Sequence, residues 1–305
     1  MSELRFDGRV AVITGAGRGL GRAYALLLGS KGARVVVNDL GSSMKGDGAD
    51  AGPAEEVAAE IRAAGGEAVA CTESVATPEG GKAIIQAALD HYGKLDILIH
   101  NAGNVRYGSL KEISYEDFNA VVDVHLRGAF HVVRPAFPIM AAAGYGRIVL
   151  TSSVGGLYGN HRVVNYGVAK AGMIGLNNVI ALEGEAEGVR SNIIVPGAVT
   201  RMAEGLDTSK YPKMEPDMVA PAVGWLAHES CSITGEMLVS MAGRVGRAYI
   251  AETRGVYQDP WSIEDIGARI DEIRRPEPVL DFGLHGHVDH IRYSFAMQTE
   301  VEASK

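Results

Sequence analysis

The sequence has 305 residues, of which 47% are hydrophobic and 22% charged, a balance that excludes a disordered chain and allows one large domain. A net charge of −8 argues against a general nucleic-acid or anionic-membrane binder, which would carry a basic excess. Two cysteines, Cys71 and Cys231, build no disulfide framework, no apolar run reaches the roughly 20 residues of a membrane span, and the N-terminus does not read as a signal peptide. The expected location is therefore cytoplasmic, and the terminal Glu302-Ala303-Ser304-Lys305 is not a peroxisomal Ser-Lys-Leu address.

Short apolar, β-branched runs predict strands at Val10–Thr14, Arg34–Asp39, Glu67–Cys71, Leu95–His100, Arg147–Ser152, Arg190–Val195 and Met237–Ser240. Helical patterns fall between them at Leu20–Ser30, Ala54–Ala64, Gly80–His91, Tyr115–Ala142 and Tyr158–Glu187. This alternation predicts an α/β fold, a Rossmann-type doubly wound parallel sheet of about seven strands with helices on both faces. Residues 1–275 read as a single catalytic domain. Two stretches are irregular: the loop Leu40–Pro53, and the tail Pro276–Lys305, expected to pack on the domain or on a neighbouring subunit.

The first strand runs into Thr14-Gly15-Ala16-Gly17-Arg18-Gly19-Leu20-Gly21, which opens a helix. Glycines there let the backbone turn tightly and approach a pyrophosphate, while the helix N-terminus offers amide donors. Asp39 ends the second strand 24 residues past Gly15. A carboxylate at that offset accepts the ribose hydroxyls of an adenosine and repels a 2′-phosphate, whereas Arg18 could pair with one; with Asp39 present the reading favours NAD over NADP. Tyr166 and Lys170 share one helical face, and Ser153 lies 13 residues before Tyr166 at a strand end. An ammonium near the phenol is expected to pull its pKa down from about 10, making Tyr166 a general acid–base partner for a ketone and its alcohol. A second Tyr-x-x-x-Lys, Tyr107 to Lys111, lacks the serine, since Lys94 stands in the equivalent place.

The Gly-rich turn, Asn101-Ala102-Gly103 after the fourth strand, Ser153 with Tyr166 and Lys170, and Pro196-Gly197 together resemble the short-chain dehydrogenase/reductase family over about residues 6–245. A narrower likeness joins Val36–Gly41 and its long loop, Val124-His125-Leu126-Arg127-Gly128, Tyr158-Gly159-Asn160, Arg201-Met202 and Val219-Ala220-Pro221 with Trp225–Cys231. These resemble the (3R)-hydroxyacyl-CoA dehydrogenase branch found in peroxisomal multifunctional enzyme type 2. The resemblance implies catalytic roles for Ser153, Tyr166, Lys170 and His125. It implies NAD contacts at Gly15, Arg18, Gly19, Leu20, Gly21, Asp39, Ser74, Val75, Asn101, Ala102, Gly103, Tyr166, Lys170, Pro196, Gly197 and Val199. It also implies a homo-oligomer, dimer or tetramer, packed through the Tyr115–Ala142 and Tyr158–Glu187 helices.

The chain departs from the family pattern at several positions. His125 replaces the usual catalytic Asn, as in the multifunctional branch, and His100 replaces the first Asn of Asn-Asn-Ala-Gly. Pro196-Gly197 is followed by Ala198-Val199-Thr200, which displaces the expected Thr by one residue, and Glu73-Ser74-Val75 stands where an Asp usually meets the adenine. The tail's His285, His287 and His290 resemble metal ligands, but Gly286 loosens the loop and no Cys or Glu completes a set, so no metal is expected. The expected activity is interconversion of a secondary alcohol and a ketone, on a 3-hydroxyacyl-CoA. Alternatives are a hydroxysteroid or steroid-side-chain CoA dehydrogenase, an NADPH-dependent 3-oxoacyl-carrier-protein reductase and, outside enzymes, a nucleotide-sensing regulatory protein. Substrate shape is expected to depend on Arg201–Asp217 and the tail.

Overall fold

Chain segments that are apolar on both sides of the backbone become strands covered on both faces. In the computed structural model, which describes residues 3–200 and 212–303, these are β1 (Val10–Thr14), β2 (Arg34–Asn38), β3 (Glu67–Cys71), β4 (Ile97–His100), β5 (Gly146–Thr151), β6 (Val189–Gly197), β7 (Met237–Met241) and β8 (Arg244–Ala248). The sheet order is β3-β2-β1-β4-β5-β6-β7-β8. Neighbours from β3 to β7 are parallel, and the order reverses direction between β1 and β4. The helices around the sheet are α1 (Gly19–Ser30), α2 (Gly52–Ala63), α3 (Pro78–Tyr92), α4 (Tyr115–Val122), α5 (Gly128–Ala142), α6 (Val154–Tyr158), α7 (Val164–Gly184) and α8 (Ala220–Ala227). One core packs Ile13, Val35, Val37 and Ile99 of the sheet against Tyr24 and Leu28 of α1 and Val223 and Leu226 of α8.

The fold class is as expected, with three local differences. The segment read as one helix over Tyr115–Ala142 holds a π-helical turn at Asp123–Arg127, so His125 sits where the ladder is disturbed. The helix expected to begin at Tyr158 begins at Val164, because Gly159 (φ 74°) and Arg162 (φ 63°) take left-handed conformations and separate α6 from α7. An eighth strand joins β7 through Ala242 and Gly243, both at positive φ, the conformation of a tight two-residue hairpin. Its sequence, Arg-Val-Gly-Arg-Ala, has no continuous apolar run to announce it.

Contacts divide the chain into two units, Met1–Arg247 and Ala248–Lys305. The division falls earlier than the expected break after Arg275. The reason is pairing: β9 (Glu252–Thr253) runs antiparallel to β10 (Val279–Leu280), tying the stretch before Arg275 to the tail. The second unit also holds α9 (Ile263–Ala268), α10 (Ile270–Ile273) and α11 (Gly286–Ala303). Ser262 and Asp265 form a capping box at the start of α9. Phe282 packs edge-on against His290 and Tyr293, while Phe295 remains 67% exposed. Residues 201–211, part of the stretch expected to shape the substrate end, lie outside the described residues.

The first turn of α1 sits against the glycine-rich turn with no room for a side chain. A Cβ on Gly21 would lie 2.1 Å from the carbonyl oxygen of Gly15 and 2.7 Å from Asn101 Nδ2. Gly21→Ala should therefore lower the unfolding free energy in urea by about 1–3 kcal/mol, as overpacking does. A loss under about 0.5 kcal/mol would mean that the helix shifts freely.

Candidate active site

The reversal of strand order opens a crevice at the C-terminal ends of β1 and β4. Thr14 and His100 face each other there, the last pair in register. Gly15 turns with φ 65°, and a Cβ on it would press 2.7 Å from Ala102 Cα. Gly19 also has positive φ (55°), but there the added atom would meet only Thr200, at 3.4 Å. Arg18 caps α1 without a side-chain hydrogen bond, and no acidic residue lies in the helix's first turn. A first helical turn without acidic residues and a backbone held bare by glycine fit a phosphate-bearing dinucleotide.

A cleft of ≈ 240 Å³ runs along this edge. Gly15, Arg18, Gly19, Leu20, Asp39, Ser74, Val75, Asn101, Ala102 and Gly103, all expected cofactor residues, line it. Asn101 Nδ2 donates to the Gly15 carbonyl (3.1 Å), which locks the two glycine-bearing segments together. Asp39 accepts from the backbone N–H of Gly17 (2.8 Å) and of Gly41 (2.7 Å) and has no ion-pair partner among the described residues. Gly21 lies behind the turn. Pro196, Gly197 and Val199 stand at the end of β6 and beyond it, and the cleft wall on that side is Thr200.

The sequence reading missed the far wall. Ser42, Ser43, Met44 and Gly46 of the loop between β2 and α2 line the cleft as well. The Val105 amide donates to the Met44 carbonyl (3.0 Å), and Arg106 donates to the Lys45 carbonyl (3.0 Å) while pairing with Asp47 (3.0 Å) and Asp117 (2.9 Å). Buried Asn165 donates to the carbonyls of Arg106 (3.0 Å) and Asp117 (3.1 Å) and accepts from the Tyr166 amide (2.8 Å). The loop thus reaches the helix that carries Tyr166. Nothing local in the loop's sequence signals this, because its anchors are more than 50 residues away.

Ser153 caps α6, accepting from the Gly155 amide (3.1 Å). Its hydroxyl and the edge of the Tyr166 ring border the same point beside Gly155, 3.6 and 3.5 Å from where a Cβ there would stand. Lys170, one turn along α7, is 3% exposed and donates to the Thr151 carbonyl (2.6 Å), with its ammonium 5.7 Å from the Tyr166 ring centre. The expected lowering of the phenol pKa is not what this geometry produces. Burial raises the Tyr166 pKa above its ordinary value, with the neighbouring Ser153 hydroxyl acting the other way. Burial also brings Lys170 down to about 7. The lysine is turned to a backbone carbonyl, so desolvation outweighs its charge. His125 is buried, its ring edge-on to Tyr166 (5.3 Å between centres) and so close to Gly103 that a Cβ there would lie 2.3 Å from Cε1. Its Nε2 lies 2.8 Å from the Asn104 carbonyl and 3.1 Å from the Asn104 amide, and burial, followed by the Lys170 charge, holds the imidazole well below its ordinary pKa.

The family model for short chain dehydrogenases matches residues 9–210. The chain belongs to the short-chain dehydrogenase family. It is accordingly an oxidoreductase. It is 48% identical over 264 residues to peroxisomal multifunctional enzyme type 2 of Drosophila melanogaster, a match covering 86% of this chain and 44% of that one. The chain thus spans less than half of that relative. A short-chain type dehydrogenase/reductase of Mycobacterium tuberculosis is 44% identical, with 87% of this chain and 93% of that one covered. The solved structure of the full-length Drosophila enzyme superposes with a TM-score of 0.79 at 38% identity, covering 96% of this chain and 50% of that chain. Among the described residues no helix is long and apolar enough to cross a membrane, and no three metal-ligating side chains converge. His290 instead lies 3.2 Å from Glu252.

Lys170 links this dehydrogenase's stability to pH. Between about pH 7 and 10.5 the unfolded chain keeps a proton that the folded chain has shed, so stability rises with pH across that window; below it the full penalty of a buried ammonium applies. In urea unfolding, the wild type should gain roughly 3 kcal/mol relative to Lys170→Met between pH 7 and 9.5. A gap that does not change with pH would place the lysine's titration at its ordinary value.

Proposed function

We propose that this dehydrogenase interconverts a secondary alcohol and a ketone with NAD, and that its substrate is a 3-hydroxyacyl-CoA. The observation that carries the reading is the assembled Ser153–Tyr166–Lys170 group, the Ser153 hydroxyl and the Tyr166 ring side by side next to Gly155 and Lys170 one turn further along α7, one His125 ring away from the dinucleotide-type cleft. Burial keeps the phenol protonated at neutral pH, ready to donate to a ketone oxygen; in the reverse direction the phenolate takes the alcohol's proton. Ser153 donates to the same oxygen and fixes its position. Lys170 supplies positive charge near the phenolate when it is protonated. When bound, NAD supplies the hydride acceptor.

Gly15, Gly19, Leu20 and Gly21 would hold its phosphates, Ser74 and Val75 its adenine, and Asn101, Ala102 and Gly103 the path toward the nicotinamide, where Tyr166, Lys170, Pro196, Gly197 and Val199 would meet it. Asp39 supports NAD over NADP: its unneutralised carboxylate accepts ribose hydroxyls and repels a 2′-phosphate. Exposed Arg18 is the group that would serve NADP. The acyl-CoA class rests on the resemblance of the His125 segment and the long loop to the hydroxyacyl-CoA branch. Both cysteines are free and buried, which suits a reducing compartment, and we place the enzyme in the cytoplasm.

Turnover of 3-hydroxyacyl-CoAs and hydroxysteroids with each cofactor tests the reading. Wild type should reduce NAD with a 3-hydroxyacyl-CoA. Tyr166→Phe should lose at least 100-fold in kcat with NAD affinity nearly unchanged, and Asp39→Ala should weaken NAD and strengthen NADP. Binding of NAD without turnover of any alcohol would favour a nucleotide sensor instead.

We also propose a homo-oligomer. Phe130 of α5 and Val168, Val179 and Leu182 of α7 are 51%, 46%, 52% and 40% exposed, apolar surface that a symmetry mate would cover. Light scattering should give a dimer or tetramer at micromolar concentration; a monomer would overturn the assignment.

A further inference from the structure

The hydrogen bonds around Thr14 determine the protonation of a histidine that the proposed chemistry does not use. Thr14 Oγ1 accepts from the backbone N–H of Asn101 and of Ala102, both at 3.1 Å. That leaves its own proton to donate, and the neighbour available is His100 Nδ1, at 3.0 Å. Nδ1 is therefore the acceptor, and the ring proton sits on Nε2, which donates to the carbonyl oxygen of His125 at 3.0 Å. His100 is fully buried, and burial with the Lys170 charge pushes its pKa down to about 3, so the ring stays neutral with one donor and one acceptor.

This buried ring bridges two segments of the chain. On one side it holds the threonine that organises the glycine-rich turn and the Asn101–Ala102 backbone. On the other it holds the main chain of the π-helical turn, whose His125 ring backs Tyr166. We propose that His100 is a positioning residue that couples the dinucleotide turn to the placement of Tyr166 through His125. The proposal rests on the reading of Tyr166 as the proton-transferring group. An aliphatic side chain of similar volume would fill the space but leave the Thr14 hydroxyl and the His125 carbonyl without their partner, freeing the π-turn to shift. A displacement of even about 1 Å at a reacting group is enough to slow catalysis severely.

The test compares wild type, His100→Leu, His100→Asn and Tyr166→Phe at 25 °C, with kcat and KM expressed per folded molecule and melting followed by circular dichroism. His100→Leu should lose 10- to 100-fold in kcat with the substrate KM within threefold of wild type. His100→Asn, which offers an acceptor to Thr14 and an N–H toward His125, should recover most of that loss. If Leu does not fold, His100→Met is read in its place. A purely structural role would lower the melting temperature and leave kcat per folded molecule within threefold, and that result overturns the proposal. So does His100→Asn proving as slow as His100→Leu. An inactive Tyr166→Phe beside a fully active His100→Leu overturns this proposal alone, whereas an active Tyr166→Phe overturns the function reading on which it rests.

Discussion

The parallel pairing of β1 with β4 is the constraint on which the rest of the site depends. It sets Thr14 opposite His100 at the one place where the sheet order reverses, and the chain leaves the two strands in opposite directions. A single hydroxyl, Thr14 Oγ1, then gathers two backbone amides and an imidazole, so the glycine-rich turn and the segment after β4 move as one body. Asn101 and the missing Cβ of Gly15 close the same joint from the other side. The cleft is shaped by these few contacts before any ligand arrives.

Burial governs the acid–base chemistry more than charge does. A lysine one turn from a tyrosine suggests an ion-assisted phenolate, but Lys170 turns to the Thr151 carbonyl and both groups are desolvated. The outcome is a phenol that holds its proton and a lysine near its titration point at neutral pH. Carrying such a lysine inside the fold works against stability, the usual cost of a functional site. The two histidines near it, His100 and His125, stay neutral for the same reason and serve as fixed polar struts.

Arg106 shows how distant segments complete the site. Its ion pairs with Asp47 and Asp117 are partly exposed and individually worth little. Their geometry matters more, because together with the Lys45 carbonyl and Asn165 they fasten the loop after β2 to the start of α7. A long connection thereby becomes a wall of the cleft. The second unit is built differently: none of residues 248–299 is buried, so it has little core of its own.

Much of this was legible in the sequence by itself. Apolar runs of five or six residues alternating with helical periods determined a doubly wound parallel sheet, since strands buried on both faces leave no other pattern. Glycines at 15, 19 and 21, Asp39 at its offset, and Ser153 with Tyr166 and Lys170 pointed to the candidate site, because backbone approach and helical spacing are local properties. Tertiary structure alone decided the rest. The π-turn at His125 and the union of residues 248–275 with the tail depend on partners remote in sequence, and the strand character of β8 comes from its pairing with β7 rather than from an apolar run. So do the direction of the Tyr166 pKa, the tautomer of His100 and the anchoring of the Leu40–Pro53 loop by Arg106. Desolvation and hydrogen-bond direction are set by what surrounds a group in three dimensions, and no spacing along the chain encodes that.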